Sequence, residues 1–289
     1  MIPPSFEYHA PGSVDDAVAL LSQYGDEAKI LAGGHSLLPM MKLRFAEPEH
    51  LVDINNIGSL KGIREENGEI VIGSMTSEND LINSALLQEK CPMLPEAAKL
   101  IADPQVRNRG TIGGDISHGD PGNDHPALML ALDAKFILVG SNGSREVLAI
   151  DFFLGTFFTA LETDEIMTEI RIAPQPAGTG ASYHKLKRKT GDYATAAAAA
   201  VIGISGDSCR SARIALTNLG ATALRATDAE AVLVGQAITD ALIEQAAAKV
   251  MEICDPPEDL RGDVEYKTHM GGEMTRRAIR DAIKRAGGN

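Results

Sequence analysis

Ala32-Gly33-Gly34-His35-Ser36 and Thr111-Ile112-Gly113-Gly114-Asp115 decide how this chain is read. Each run follows or interrupts an apolar stretch and ends in small or polar residues. Glycine has no Cβ and tolerates φ > 0, so backbone N–H groups there can approach an anion closely. One Gly-Gly pair alone makes a tight turn. Two such runs together suit a ligand with two phosphates, a dinucleotide. The spacing is not that of a Rossmann fingerprint, G-x-G-x-x-G between a strand and a helix. The nearest match, Gly178-Thr179-Gly180, has Tyr183 where the third glycine belongs and follows Pro174 and Pro176.

Working outward, Ile30-Leu31-Ala32 reads as a short strand leading into the first run. Before it, Ser13 to Tyr24 predicts a helix with Ser13 as N-cap, Asp16 in the first turn and Val14, Ala17, Val18 and Leu21 on one face. Leu51 to Ile54 and Ile70 to Gly73 read as strands, and Ser77 to Leu87 and Met93 to Ala102 as helices. Lys135 to Ile172 is strand-rich. A composition break at residues 173–180 marks the best boundary, dividing the chain into 1–177, with parts at about 1–55 and 56–177, and 178–289. Beyond it, Ser182 to Lys189 and Ala196 to Ser205 predict an antiparallel sheet. Alanine propensity alone would make 196–200 helical, but Val201-Ile202-Gly203-Ile204 continues the run as a strand. Asp228 to Val234, Asp240 to Ile253 and Glu265 to Arg285 read as helices. The expected class is α+β.

The 289 residues carry 27 Lys and Arg against 40 Asp and Glu, a formal charge of −13. That sign repels phosphate backbones and anionic lipid, so nucleic acid or a membrane surface is not the expected partner. Cys91, Cys209 and Cys254 lie far apart without C-x-x-C spacing, against an internal iron–sulfur or zinc site and in favour of a reducing compartment. The opening residues show no export signal, and no apolar run reaches the roughly 20 residues of a span. The expectation is a cytoplasmic protein.

His118-Gly119-Asp120-Pro121-Gly122-Asn123-Asp124-His125-Pro126 reads as a polar loop able to grip ribose hydroxyls. His118 and His125 lack a third ligand that the sequence fixes on one face, so no metal is expected. In Lys185-Leu186-Lys187-Arg188-Lys189-Thr190-Gly191-Asp192-Tyr193 four cations gather in an acidic chain. Either they form a solvated strand face, or one lysine reaches a phosphate or ring carbonyl while Tyr193 lies against a flat heterocycle. G-x-S-x-G, H-E-x-x-H and P-loop motifs are absent, so a cofactor has to carry any hard chemistry.

Both glycine runs, with Leu37-Leu38-Pro39-Met40-Met41-Lys42 after the first, resemble the two FAD diphosphate loops of flavoprotein medium subunits in the molybdenum hydroxylase (xanthine oxidase) family. The likeness is strongest to the aerobic carbon monoxide dehydrogenase type. It runs along essentially the whole chain, through Ile101 to Gly110, Gly119 to Asp124, Lys185 to Ala200 and the helical tail. It implies a two-part FAD-binding domain of the vanillyl-alcohol-oxidase (PCMH) type followed by a C-terminal domain with a small antiparallel sheet and helices. It implies FAD on this chain, held by Ile30, Leu31, Ala32, Gly33, Gly34, His35, Ser36 and Leu37, and by Thr111, Ile112, Gly113, Gly114 and Asp115, through backbone amides. By the same resemblance Asp124 is a polar contact, Tyr193 the aromatic against the isoalloxazine, Lys185 a flavin-side contact and Leu161 an adenine-side contact. Asp115 stands where many relatives carry Asn, although related subunits also carry Asp there.

The family further implies a large molybdenum–pterin subunit and a small subunit with two [2Fe–2S] clusters, assembled as a dimer of heterotrimers. Electrons leave through FAD to an external acceptor, and the complex could meet the inner face of the membrane. The substrate is set on the large subunit: carbon monoxide, or otherwise a purine or N-heterocycle. A stand-alone flavin oxidase and a non-redox nucleotide-binding protein are the competing readings. The first generally needs a cap domain, for which the residues after the boundary are few.

Overall fold

The computed structural model describes residues 2–287. The chain opens with β1 (Glu7–His9), α1 (Val14–Tyr24), β2 (Ala28–Leu31), α2 (Leu37–Leu43) and β3 (His50–Asp53). The three strands form a parallel sheet in the order β1-β3-β2. Helix α1 forms as its sequence predicts. The Ser13 hydroxyl accepts from the Asp16 N–H, and Ala17, Val18 and Leu21 are buried.

Next come β4 (Ile63–Glu66) and β5 (Glu69–Gly73), then six short helices: α3 (Glu78–Asn83), α4 (Ala85–Lys90), α5 (Met93–Ala98), α6 (Pro104–Arg109), α7 (Ile112–His118) and α8 (Asp124–Ala131). After them follow β6 (Lys135–Gly140), β7 (Gly143–Leu148), α9 (Ala149–Phe152), the hairpin strands β8 (Phe153–Gly155) and β9 (Phe158–Thr159), and β10 (Ile166–Ile172). Strands β4-β5-β10-β6-β7 make an antiparallel sheet in that order.

Several helices differ from their sequence reading. The helix expected over 77–87 is two, because Ser84 leaves helical geometry and its hydroxyl caps α4 at the Leu87 N–H. The helix expected over 93–102 ends at Ala98. Asp103 then starts α6, accepting from the N–H groups of Gln105 and Val106 with Pro104 at the first helical position. The expected loop at 118–126 stops at Asn123, where α8 begins.

The remainder is an antiparallel sheet of β11 (Thr179–Leu186), β12 (Ala196–Ser205), β13 (Ser208–Thr217) and β14 (Leu224–Arg225), with α10 (Thr227–Leu233), α11 (Asp240–Ile253) and α12 (Val264–Arg285). The alanine run is a strand, and both its faces are buried. Ala196, Ala198, Ala200 and Ile202 pack into a core with Ala278, Ile279 and Ala282 of α12. Ala197, Ala199 and Val201 pack into the other core, with Leu128 of α8 and Phe136 of β6. Period-two alternation sends successive side chains to opposite layers, and only a small side chain fits between two. Helix α12 presses equally close: a Cβ at Gly180 would lie 2.0 Å from the Ala282 carbonyl oxygen.

Candidate functional site

A cleft of about 590 Å³ lies where the first glycine run, the start of α7 and the region after β11 converge. That volume is within the range of small-molecule and cofactor pockets. Strand β2 delivers the first run to one wall, and α2 leaves it. Gly34 has φ +77°, a conformation glycine adopts without strain. Gly33 is there for close approach instead: a Cβ would lie 2.4 Å from the Arg109 carbonyl oxygen, so the stretch before the second run is packed against the first. Among the described residues, the N–H groups of Gly33, Gly34, His35, Ser36 and Leu37 donate no hydrogen bond within the protein. Five consecutive free donors at the head of a helix make an anion nest.

The second run is built differently. Thr111 is the N-cap of α7, and Gly113 and Gly114 are helical residues without positive φ. Their amides are already engaged: Ile112 N–H with the Thr76 carbonyl, Gly113 N–H with that of Ser74, Gly114 N–H with the Thr111 hydroxyl at 3.3 Å, and Asp115 N–H with the Thr111 carbonyl. The amides of Ile112 to Asp115 thus have partners within the protein, whereas Thr111, Gly113, Gly114 and Asp115 still line the cleft. Thr111 accounts for two of those bonds and the carbonyls of Ser74 and Thr76 for the other two, while the five amides of the first run have no partner. Gly113 serves contact, since a Cβ would meet Ser74 at 2.5 Å.

Of the residues singled out from sequence, the cleft wall contains all but Leu31 and Ile112. Leu31 is the last residue of β2, and Ile112 is fully buried in the core behind. Tyr193 is 45 % exposed, with the Arg261 guanidinium carbon 5.5 Å from its ring centroid. A Cβ at Gly122 would stand 3.2 Å from the Tyr193 ring, so the loop before α8 abuts this aromatic closely. Within the basic run Lys187 donates to the Leu100 carbonyl at 2.8 Å and the exposed Arg188 to Asp192 at 2.8 Å, while Lys189 is exposed to solvent.

Lys185 donates to Asp124 at 2.6 Å, and both side chains are buried. The other Asp124 oxygen accepts from the Tyr183 hydroxyl at 2.5 Å, which also lies 3.2 Å from Thr217. Asp124 and Lys185 thus satisfy each other and are fixed in position at the cleft wall. Behind them His125 faces both oxygens of Glu78, at 2.9 and 3.0 Å. Burial alone would lower the His125 pKa, but the Glu78 carboxylate outweighs it and holds it up at about 9. Burial pushes the Asp115 carboxyl up to about 7, partly opposed by His125. Asp115 Oδ2 and His125 Nδ1 are buried without hydrogen-bond partners, as is Ser74 Oγ, whose residue also lines the cleft.

Sequence reading missed Glu78 and Tyr183, because their partners lie 47 and 59 residues away. His118 lies against Phe157 with ring centroids 4.9 Å apart and planes tilted by 41°, while Glu78 takes the His125 Nε2. The cleft fits an extended dinucleotide: free amides for a diphosphate, an aromatic beside a glycine for a flat ring, and buried polar atoms on the wall between.

Residues 4–176 match the family described as the FAD binding domain in molybdopterin dehydrogenase, and residues 181–282 the CO dehydrogenase flavoprotein C-terminal domain. The chain is 61 % identical over 285 residues to the carbon monoxide dehydrogenase medium chain of Hydrogenophaga pseudoflava, covering 99 % of each. The solved structure of the carbon monoxide dehydrogenase of that organism, in a form lacking the Mo-pyranopterin moiety, contains a chain that superposes with a TM-score of 0.98. It shares 63 % identity over 99 % of both chains. A chain of quinoline 2-oxidoreductase from Pseudomonas putida 86 has a TM-score of 0.93 at 34 % identity, again over 99 % of both. With both domains matched end to end, the chain belongs to the family of FAD-binding medium chains of carbon monoxide dehydrogenase.

Proposed function

We propose that this chain works as the flavin-bearing medium subunit of a carbon monoxide-oxidising molybdenum hydroxylase. One observation carries the site: five free backbone amides open a cleft whose far wall presents Tyr193. The gap between 61 % identity to a carbon monoxide dehydrogenase chain and 34 % to a quinoline-oxidising enzyme favours carbon monoxide over an N-heterocycle. FAD supplies the chemistry that lets single electrons arriving from iron–sulfur clusters leave as pairs to an acceptor.

The chain's own residues bind and orient. Gly33 to Leu37 offer N–H groups to the diphosphate. Thr111, Gly113, Gly114 and Asp115 at the start of α7 line the facing part of that diphosphate site, and the Arg109 carbonyl packs on Gly33. Tyr193 offers its ring to the isoalloxazine, Leu161 apolar surface to the adenine end, and the Asp124–Lys185 pair a fixed polar edge. Molybdenum–pterin and two [2Fe–2S] clusters belong on a large and a small partner subunit, in a dimer of heterotrimers delivering to an external acceptor. None of the described helices is long and apolar enough to cross a membrane. Three unpaired cysteines suit the cytoplasm. A boundary at 177/178 falls between the two matched segments, which supports dividing the chain there.

Co-expression with the neighbouring genes tests the reading. The purified complex should contain flavin, iron–sulfur and molybdenum, and its flavin absorbance should bleach under carbon monoxide. A solitary protein that binds FAD tightly and is reduced by a small organic substrate would refute it.

A further inference from the structure

The parallel sheet carries a second cluster of donors, at the end of its strands away from the first glycine run. Glu7 pairs in register with His50 across β1 and β3, and His9 follows two residues later, so all three stand on one face. His9 Nε2 and His50 Nδ1 are 3.1 Å apart. The carboxylate oxygen of Glu7 lies 3.5 Å from that His50 nitrogen and 4.0 Å from that of His9. A point equidistant from these three atoms is about 2.1 Å from each, which is the length of a Zn–N or Zn–O bond. We propose that Glu7, His9 and His50 bind a divalent first-row transition ion, with zinc as the best match.

Three further observations support this. The two imidazoles are held in place before any ion arrives: Tyr24 stacks on His50 at 3.6 Å and 14°, and on His9 at 5.3 Å and 27°. Glu27 and Glu49 also bring carboxylates within 4.8 Å of His50. Among the described residues no Lys or Arg pairs with Glu7, Glu27 or Glu49, so the carboxylates have no other cation. Two imidazoles and a carboxylate are a donor set that suits zinc, and three protein ligands leave a fourth position for water or a second carboxylate. Because the ligands come from β1 and β3, a bound ion would clamp the first strand to the centre of the sheet.

The test uses the full chain with its flavin, stripped with a chelator, dialysed and titrated with zinc chloride in a calorimeter, with metal content read by elemental analysis. One zinc per chain is expected, with X-ray absorption showing nitrogen ligands together with oxygen. Glu7 is 71 % exposed at its side chain, so Glu7→Gln leaves the fold intact and should weaken binding by about tenfold or more. The double variant His9→Ala/His50→Ala should abolish it. Flavin content should stay unchanged in Glu7→Gln, because the cluster is outside the cleft. Absence of binding at tens of micromolar zinc, or equal stoichiometry and affinity in the wild type and both variants, would overturn the proposal.

Discussion

At the scale of single residues the cleft depends on groups with no room to change. Gly33 is the sharpest case, since an added Cβ would meet backbone, the Arg109 carbonyl oxygen, at 2.4 Å. Gly33→Ala should cost about 1–3 kcal/mol through forced separation of the two loops and leave the purified protein largely without flavin, read as the ratio of absorbance at 450 to 280 nm (roughly the flavin and protein maxima). Asp115 makes a different prediction. Its folded pKa, about 7, lies above the ordinary 3.8, so the folded state holds a proton that the unfolded state releases. The stability this contributes is complete below pH 3.8 and is lost as the pH rises through about 7. Asp115→Asn keeps the shape and removes the titration. Urea unfolding should therefore show the variant matching the wild type near pH 4 and exceeding it by about 2–4 kcal/mol at pH 8. A wild type that is the more stable of the two at pH 8 would refute the burial argument. Both glycine runs stand out in the sequence, but it did not reveal which of their amides bond within the protein. That depends on the carbonyls of Ser74 and Thr76, which arrive from β5 and the turn after it.

Elements show where local preference and tertiary packing part company. Glycine lowers helix propensity, yet Gly113 and Gly114 are helical: a Cβ would meet Ser74 at 2.5 Å from Gly113 and the Thr111 hydroxyl at 2.8 Å from Gly114, so this helix start is packed too closely for side chains. Alanine raises helix propensity, yet Ala196–Ala200 form a strand because two layers close on it. Helix α1 needed no such help, as its cap and apolar face already agreed. The pairing of α8 with β11 is tertiary and leaves no local trace. There Lys185 and Asp124 are buried, at 2 % and 5 % side-chain exposure. Removing one partner strands the other charge, so Lys185→Met should cost about 3–5 kcal/mol in chemical denaturation. Adding Asp124→Asn should recover part of that loss, because the uncompensated charge is gone.

For the whole molecule, β12 is a shared wall rather than the interior of one domain. The core containing Ile70, Phe136 and Ile170 also contains Ala197, Ala199 and Val201, so the two halves bury each other's apolar surface. Calorimetry of the intact chain should therefore show a single unfolding transition, and a fragment ending near residue 177 should melt earlier and bind flavin poorly. Two separated transitions would show that the halves fold independently. A break in composition from Pro174 to Gly180 is visible in the sequence; the face shared by the stretches on either side is not, because a strand buried on both sides shows no polar alternation.

The cleft's dispersed origin also bears on manufacture. Its walls are gathered from positions between Lys29 and Tyr193, and the last of them is set by strands paired still later in the chain. A ribosome releasing this polypeptide exposes the free amides of the first run long before the opposite wall exists. Such distant contacts form late and slowly. The expected consequence is that the cofactor enters a finished apoprotein, so chains made in flavin-starved cells should be folded, empty and able to take up added flavin.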